Sequence, residues 1–467
     1  MMHIIHNNKG TFLVHLNFLY LKRDIRLNQR LCSIKWRTPA QAFPDRPFTE
    51  SEKLTSLQPL HILQLVPEPL PSYRADVSTL FGKYLPRHQV YCDIVGKPGQ
   101  PGATPGGFNS LCVPTRHARR WRQELAFLML CLRKVWRARA GQCDVIQVRD
   151  MVSIGLLSML LARAKGMPFT YWVSFLMCDG RIERSRAELK RRPGSLHYRL
   201  ALYKGLVEKV LFYKVVLAHA DHVFVQSEAM KRLMIERGIA ADKLTAVPMG
   251  VDMETLSAME LAPRPLTNQV TAPVIAYLGT LDRSRKIEEL LDALAIVRQQ
   301  HPAVRLLLIG SSPTPSDVEL LKAHAQGLGV EDAVDMTGWL DSAEALPLLL
   351  GADVAVSYVP RGALFDVSSP TKLLEYLALG MPAVGNDSPD QTRVLGESGA
   401  GWLSASTAVA LAAALCEVLG DRDAAQARAA AGPAYIARNR SYRVLSAALA
   451  QRYHSLVDHL RRPAAAA

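Results

Sequence analysis

One pattern constrains this chain more than any other, and it runs twice. Short apolar runs alternate with longer helical ones, stop at the prolines of Ala262-Pro263-Arg264-Pro265, and begin again. In the first pass, His61–Val66, Gln89–Val95, Cys143–Val148, Pro168–Ser174 and His222–Gln226 read as strands. Thr79–Leu85 and Val152–Ala164 read as helices, Pro67–Pro71 as a chain break and Gly96–Gly107 as a loop. In the second, Val274–Leu278, Val304–Ile309, Val334–Thr337, Val354–Ser357 and Ala383–Asn386 read as strands. Lys286–Gln299, Pro315–Leu328, Ala343–Leu350, Pro370–Leu379 and Ala408–Leu419 read as the helices between them. Such alternation builds parallel sheets with crossover helices. The expected fold is α/β: two Rossmann-like, doubly wound domains with a crevice between them. The expected bounds are a poorly ordered extension over 1–57, a first domain over 58–262 and a second over 273–430. Residues 431–467 would form one crossing helix (Ala429–Leu460) and a tail.

Charge divides along the same line. Residues 1–270 hold 39 Lys and Arg against 21 Asp and Glu, a net of +18, while the remainder is −4. An excess this uneven implies an anionic partner for the N-terminal half. No zinc-finger, helix-turn-helix or RNA-recognition signature accompanies it, so nucleic acid is not expected. An anionic membrane surface or a phosphate-bearing acceptor is. No apolar run approaches the roughly 18 residues that a spanning helix needs. The apolar patch Thr11–Leu21 leads into Lys22 and Arg23 without a small-residue cleavage site. The seven cysteines form no C-x-x-C pair, which argues against a disulfide framework or a zinc site and for a reducing, cytoplasmic compartment.

The stretch with the most legible chemistry is Ser368-Ser369-Pro370-Thr371-Lys372 through Gly380. Ser369 reads as an N-cap and Pro370 as the first helical residue, so the free N–H groups of the first turn form an anion site. Lys372 adds a point charge. Glu375, about one turn on, offers a carboxylate to ribose hydroxyls. Gly279-Thr280-Leu281-Asp282-Arg283-Ser284-Arg285-Lys286 places a glycine turn and three cations at a strand end, an address for a diphosphate. Gly310 marks a second strand–glycine turn. Met249-Gly250-Val251-Asp252 is a tight turn just before the linker.

Together these segments resemble the retaining glycosyltransferase family 4, of GT-B fold. Ala220–Ser227 followed by Pro248-Met249-Gly250-Val251-Asp252 is similar to the family's end of the first domain. Gly279 with Lys286 resembles its diphosphate turn, and Ser369-Pro370-Thr371-Lys372 with Glu375 its nucleotide-binding helix. The resemblance covers about 60–430 and is strongest over 220–403. It implies sugar transfer from a nucleoside diphosphate sugar to an acceptor hydroxyl with retention, without a metal or other cofactor. Lys286, Arg283 and Glu375 would be catalytic. Gly279, Arg285, Gly310, Trp339, Leu340, Ser369, Thr371 and Lys372 would hold the donor. The chain departs from the family in four places. Val367, beside Asp366, stands where a first glutamate is usual, and Thr280 where an arginine follows the first glycine. Trp172 stands where a histidine ends a strand. Ser72, Arg74 and Ser78 stand where a first-domain loop carries a glycine pair. These departures leave two alternatives open: a nucleotide-sugar-binding protein with impaired catalysis, and a non-hydrolysing epimerase.

Arg116–Arg139 bears on the acceptor. Trp121, Leu125, Leu128, Leu132, Val135 and Trp136 follow helical spacing among Arg119, Arg120, Arg133 and Lys134. Such a helix either covers the sheet or lies on an anionic bilayer. The expected partners are therefore a sugar nucleotide and a lipid-linked or saccharide acceptor, with an anionic membrane surface. The protein would be cytoplasmic, peripheral on the inner face of the membrane.

Overall fold

The computed structural model describes residues 58–72, 74–99, 107–259 and 272–461, all within one compact unit, residues 43–467. The expected extension 1–57, the proline linker and loop residues 100–106 lie outside the described residues.

Two parallel sheets carry the structure. The first has seven strands: β1 (Leu60–Leu70), β2 (Val90–Pro98), β3 (Ser110–Cys112), β4 (Val145–Arg149), β5 (Phe169–Val173), β6 (His222–Val225) and β7 (Leu244–Ala246). Their order is β3-β2-β1-β4-β5-β6-β7, all parallel. The second has six: β8 (Val274–Leu278), β9 (Arg305–Ile309), β10 (Val334–Met336), β11 (Val354–Ser357), β12 (Ala383–Asn386) and β13 (Trp402–Ser404). Their order is β10-β9-β8-β11-β12-β13. The winding reverses between β1 and β4 in one sheet and between β8 and β11 in the other. Ligands of doubly wound sheets bind beyond the strand ends at such reversals.

Helices fill both faces. In the first half they are α1 (Ala75–Thr79, continued by a π-type turn, Leu80–Tyr84), α2 (Arg120–Arg137), α3 (Val152–Ala164), α4 (Met177–Arg191), α5 (Leu196–Val210), α6 (Glu228–Glu236) and α7 (Met253–Ala258). The second half has α8 (Glu288–Val297), α9 (Pro315–Gly327), α10 (Ser342–Leu350), α11 (Thr371–Ala378), α12 (Pro389–Ser398), α13 (Ala408–Gly420), α14 (Arg422–Ala429), α15 (Gly432–Asn439) and α16 (Tyr442–Arg461). Phe127, Cys131, Met159, Cys178 and Phe212 pack on one face of the first sheet, so α2, α3, α4 and the π-type segment Leu211–Leu217 that follows α5 lie on that side. The π-type turn and α16 cover the other face, where Tyr442, Leu449 and Tyr453 meet Trp172 and Phe224.

Three expectations need correction. Pro67–Pro71 does not end the first strand: β1 runs to Leu70, and its register against β2 shifts between Leu65 and Pro69. Proline is tolerated at such an irregularity, where the ladder is already broken. The tail is not one helix from 429 to 460 but the end of α14, then α15 and α16. Gly432 lies so close to α11 that a Cβ there would sit 2.4 Å from the Leu377 carbonyl oxygen, and Ser441 leaves helical geometry to pair with Val251. The face expected of α2 merges two. Phe127, Cys131 and Val135 point into the core, whereas Trp121, Leu125, Met129 and Trp136 are exposed.

One buried knot ties the sheets together. The Asp390 carboxylate accepts from the Arg440 guanidinium and from the Ser369 hydroxyl. Ser369 Oγ in turn accepts from the Met249 N–H at 3.0 Å, and Arg440 also reaches the Met249 carbonyl. Both ion-pair partners are buried. Asp390→Ala strands a buried guanidinium and should lower stability by about 3–5 kcal/mol, whereas the double change Asp390→Leu/Arg440→Met should recover most of it. Urea denaturation of the three proteins checks this.

Candidate functional site

The site at the second reversal starts from two glycines. Gly279 ends β8 with φ +149° and Gly310 ends β9 with φ +141°, both favourable for glycine alone. A Cβ on Gly310 would lie 2.0 Å from the Gly279 carbonyl oxygen. The Gly279 N–H donates to the Ile309 carbonyl at 2.9 Å, so the two turns are stitched side by side. A Cβ on Gly279 would meet Lys372 Cε at 2.4 Å and Nζ at 2.7 Å. The missing side chain is thus the seat of the lysine.

Lys372 stands in the first turn of α11. Its ammonium donates to the Tyr277 hydroxyl at 2.5 Å and lies 4.1 Å from the centre of that ring. Burial pushes Lys372 down to about 7, and the nearby Arg285 guanidinium adds to this, while Glu375 and Asp282 oppose it. Arg285 has an ion pair with Asp282 at 3.4 Å and lies over the Phe365 ring at 5.6 Å. Two cations are therefore held together beside the N–H groups that open α11. A diphosphate placed there would relieve their repulsion and accept from those groups. Burial raises the Glu375 carboxyl above its ordinary value, with Lys372 opposing. Its oxygens have no hydrogen-bond partner among the described residues, so they are open to hydroxyls.

The remaining sequence candidates separate. Lys286 is exposed at the end of the 3-10 turn Arg283–Arg285, at φ +50°. A left-handed lysine is strained, and such strain concentrates at functional positions. Arg283 does not join the Arg285–Lys372 pair. It is exposed, its N–H donates to Asp317, and it lines a cavity of about 200 Å3 with Leu321 and His324. Ser369 is not the helix cap. Pro370 holds that position, Thr371 begins the helix, and Ser369 belongs to the knot described above. Trp339, next to the half-buried Leu340 and after the left-handed Gly338, is 78% exposed, on the loop that follows β10. Val367 packs into the core of the first sheet and its carbonyl accepts from Ser227 Oγ, while Asp366 pairs with Arg361. Neither replaces a missing glutamate.

The first reversal holds a cluster that the sequence reading missed, apart from Arg74. Glu68 lies near the end of β1, Arg149 ends β4 with Asp150 just after it, and Asp76 lies in the first turn of α1. Arg149 is fully buried and pairs with Asp76 at 2.6 Å and Glu68 at 3.0 Å; Arg74 bridges the same two carboxylates. Asp150 stands at φ +49° with its carboxylate on Ser174. Burial would raise Asp76, but Arg149 and Arg74 outweigh it and hold the carboxyl below its usual range. At Glu68 and Asp150 burial prevails and both are raised. Arg149 Nη1 and Trp172 Nε1 are buried without partners among the described residues. Three carboxylates against two guanidiniums leave the cluster close to neutral, which suits sugar hydroxyls better than phosphate. The prolines of β1 hid Glu68. Nothing in a short strand's sequence marks an arginine as buried. Of the acceptor-side cations, Arg119, Arg120 and Arg133 are exposed on or beside α2 and Lys134 is half-buried.

Comparison with known proteins agrees with this architecture. A family model described as glycosyl transferases group 1 matches residues 272–421, and one described as glycosyl transferase 4-like domain matches residues 81–250. The chain is 24% identical over 261 residues to alpha-monoglucosyldiacylglycerol synthase of Streptococcus pneumoniae, covering 54% of each chain. It is 29% identical over 233 residues to a GDP-mannose-dependent alpha-(1-6)-phosphatidylinositol monomannoside mannosyltransferase of Mycobacterium tuberculosis, covering 49% of this chain and 60% of that one. The chain thus spans little more than half the length of the curated relatives it matches. Anabaena HepE, solved in complex with UDP, superposes with a TM-score of 0.60 at 14% identity over 85% of this chain and all of that one.

Gly279→Ala strains the backbone at φ +149° and displaces the flexible end of Lys372, so it should lower the melting temperature and weaken UDP or GDP binding at least about tenfold, a loss of about 1.4 kcal/mol. Gly310→Ala meets backbone as well and should lower the melting temperature further. Calorimetric titration and thermal melts of both variants check this.

Proposed function

Because the chain belongs to the glycosyl transferases group 1 family, we propose that it moves a sugar from a nucleoside diphosphate sugar to an acceptor hydroxyl with retention of configuration. The product would be a polysaccharide or glycolipid. The observation that carries this reading is Lys372 seated on Gly279 with the Arg285 charge near it, at the N-terminus of α11 and one turn from the open carboxylate of Glu375.

As the bond to the sugar breaks, negative charge grows on the leaving diphosphate. Lys372, Arg285, the neighbouring Lys286 and the N–H groups at Thr371 stabilise it, so no metal is required for that step. Most of the rate gain then comes from positioning and fixed charge. Glu375 accepts from the ribose, and Trp339 and Leu340 border the base. The Glu68–Arg149–Asp76 cluster faces the sugar side of the crevice with hydrogen-bonding groups of both signs. The acceptor is lipid-linked or a saccharide. Two features support a lipid: relatives whose names specify diacylglycerol and phosphatidylinositol products, and the exposed Trp121 and Trp136 of α2 among arginines. The protein would then work in the cytoplasm, held peripherally on the inner membrane face. Among the described residues, no helix is long and apolar enough to cross a membrane.

The buried Val367 favours a second reading, a protein that binds a nucleotide sugar without transferring it. Slow hydrolysis of the donor in the absence of acceptor separates the two, since only an enzyme turns it over.

Lys286→Gly relieves the φ of +50° while deleting a cation, so stability should hold or rise slightly. Arg285→Ala and Lys286→Gly should each lower kcat/KM by about 10²–10³-fold, the usual effect of losing one stabilising donor. Transfer from a UDP- or GDP-sugar to a lipid extract, with melting curves of both variants, checks this. Near-normal turnover in both would contradict the assignment.

A further inference from the structure

Helices α4 and α5 form an antiparallel hairpin joined by Arg192–Ser195, and α5 is nearly bare. Its only fully buried residue is Gly205, where a Cβ would lie 2.9 Å from Ile182 Cγ1, so α5 touches α4 along its thinnest edge. The opposite edge carries Leu196, Leu200, Tyr203, Val207 and Val210, spaced four and three residues apart. Leu196, Leu200, Tyr203 and Val210 are each at least 60% exposed. That spacing puts all five within one stripe along the helix, about 21 Å long at 1.5 Å per residue. A surface helix normally turns such a stripe into the core; this one turns it to solvent. Scattered apolar residues need no explanation, but a continuous stripe marks a surface that meets something.

The charge around the stripe says what. Residues 176–210 contain nine Lys and Arg against four Asp and Glu. Three of the four carboxylates are tied up within the hairpin or against the body: Asp179 by Lys209 and Arg237, Glu188 by Arg191, and Glu208 by Arg181 and Lys204. Arg199 and Lys204 flank the stripe, and Arg184, Arg186, Lys190 and Arg192 are exposed on or beside α4. A second copy pairing through this hairpin would bring like charges together. Helices α2 and α4 cover the same sheet face, α5 packs on α4, and α2 carries its own exposed row of Trp121, Leu125, Met129 and Trp136. Apolar stripe with basic borders is the chemistry of a helix lying at the boundary of headgroups and acyl chains.

We propose that α5 inserts its stripe into the surface of a bilayer containing anionic lipid, as an apolar anchor beside the basic, tryptophan-bearing contact of α2. The proposal rests on the lipid-surface side of the reading above and adds a second element to it. Attraction between exposed charges is screened at about 1 M salt, where the Debye length is about 3 Å, whereas apolar insertion is not.

Sedimentation of the full chain with vesicles of phosphatidylglycerol and phosphatidylcholine, at low salt and at about 1 M, tests it. The wild type should keep part of its binding at high salt. Leu200→Glu/Val207→Glu should lose that salt-resistant part at least tenfold, with UDP or GDP affinity and melting temperature unchanged. Arg119→Glu/Arg133→Glu on α2 should weaken binding at low salt only. Complete release of the wild type at high salt overturns the α5 anchor while leaving the α2 contact intact, and so does a Leu200→Glu/Val207→Glu variant that sediments like the wild type. A wild-type dimer in analytical ultracentrifugation that the same variant converts to monomer, with vesicle binding unchanged, assigns the stripe to a second copy and overturns it as well.

Discussion

A lysine seated on a bare glycine, with a second cation close to it, organises the second domain. Lys372 occupies the space that a side chain on Gly279 would fill, and Arg285 stands near enough to help push its proton off. In a folded chain without a ligand this is an unfavourable arrangement: like charges close together, one of them partly out of water. It persists because the surroundings over-determine it. Gly310 must lack a side chain for β8 and β9 to end side by side, the Tyr376 hydroxyl accepts the Leu278 N–H at 3.0 Å, and Tyr277 receives the lysine. An anion would relieve this repulsion, which is the physical basis of the proposed diphosphate site.

The first domain solves the same topological problem with the opposite electrostatics. Its reversal point is marked by a left-handed residue that is not glycine, Asp150, but there carboxylates of opposite charge surround a fully buried Arg149. The second reversal therefore favours negative charge, and the first offers donors and acceptors with little net charge. The two domains are joined where the chain crosses between them. Met249, Ser369, Asp390 and Arg440 come from the end of the first domain, the entry to α11, the start of α12 and the segment before α16. Ser369, just before α11, thus also ties the two domains together.

Most of the second domain was legible because its strands are apolar runs bounded by glycine turns. β8 and β11 coincide with their expected bounds, and Gly279, Gly310, Lys372 and Glu375 stand out by type and spacing. Errors came where local and tertiary demands differ. Ser369 has the look of a cap, yet its hydroxyl is drawn away by Asp390 and Met249. Arg283 and Arg285 are equivalent on paper, and only folding separates them. β3, β7 and β13 are three-residue edges with no pattern to find. The α4–α5 hairpin escaped because its best apolar stripe faces outward, and the charged cluster on β1 and β4 because prolines that usually break strands sit inside one.

Lys372 offers the most direct test. In the free protein burial and Arg285 hold it at about 7, against an ordinary value near 10.4. A bound diphosphate favours the charged form and must raise it. At about pH 8 most of the free protein carries a neutral lysine, so nucleotide binding should draw in close to one proton. Calorimetric titration with UDP or GDP, in two buffers of different ionisation enthalpy, measures that proton. The account predicts a buffer-dependent enthalpy corresponding to uptake of most of a proton, abolished by Lys372→Met. Binding with no buffer dependence, or uptake that survives Lys372→Met, would contradict it.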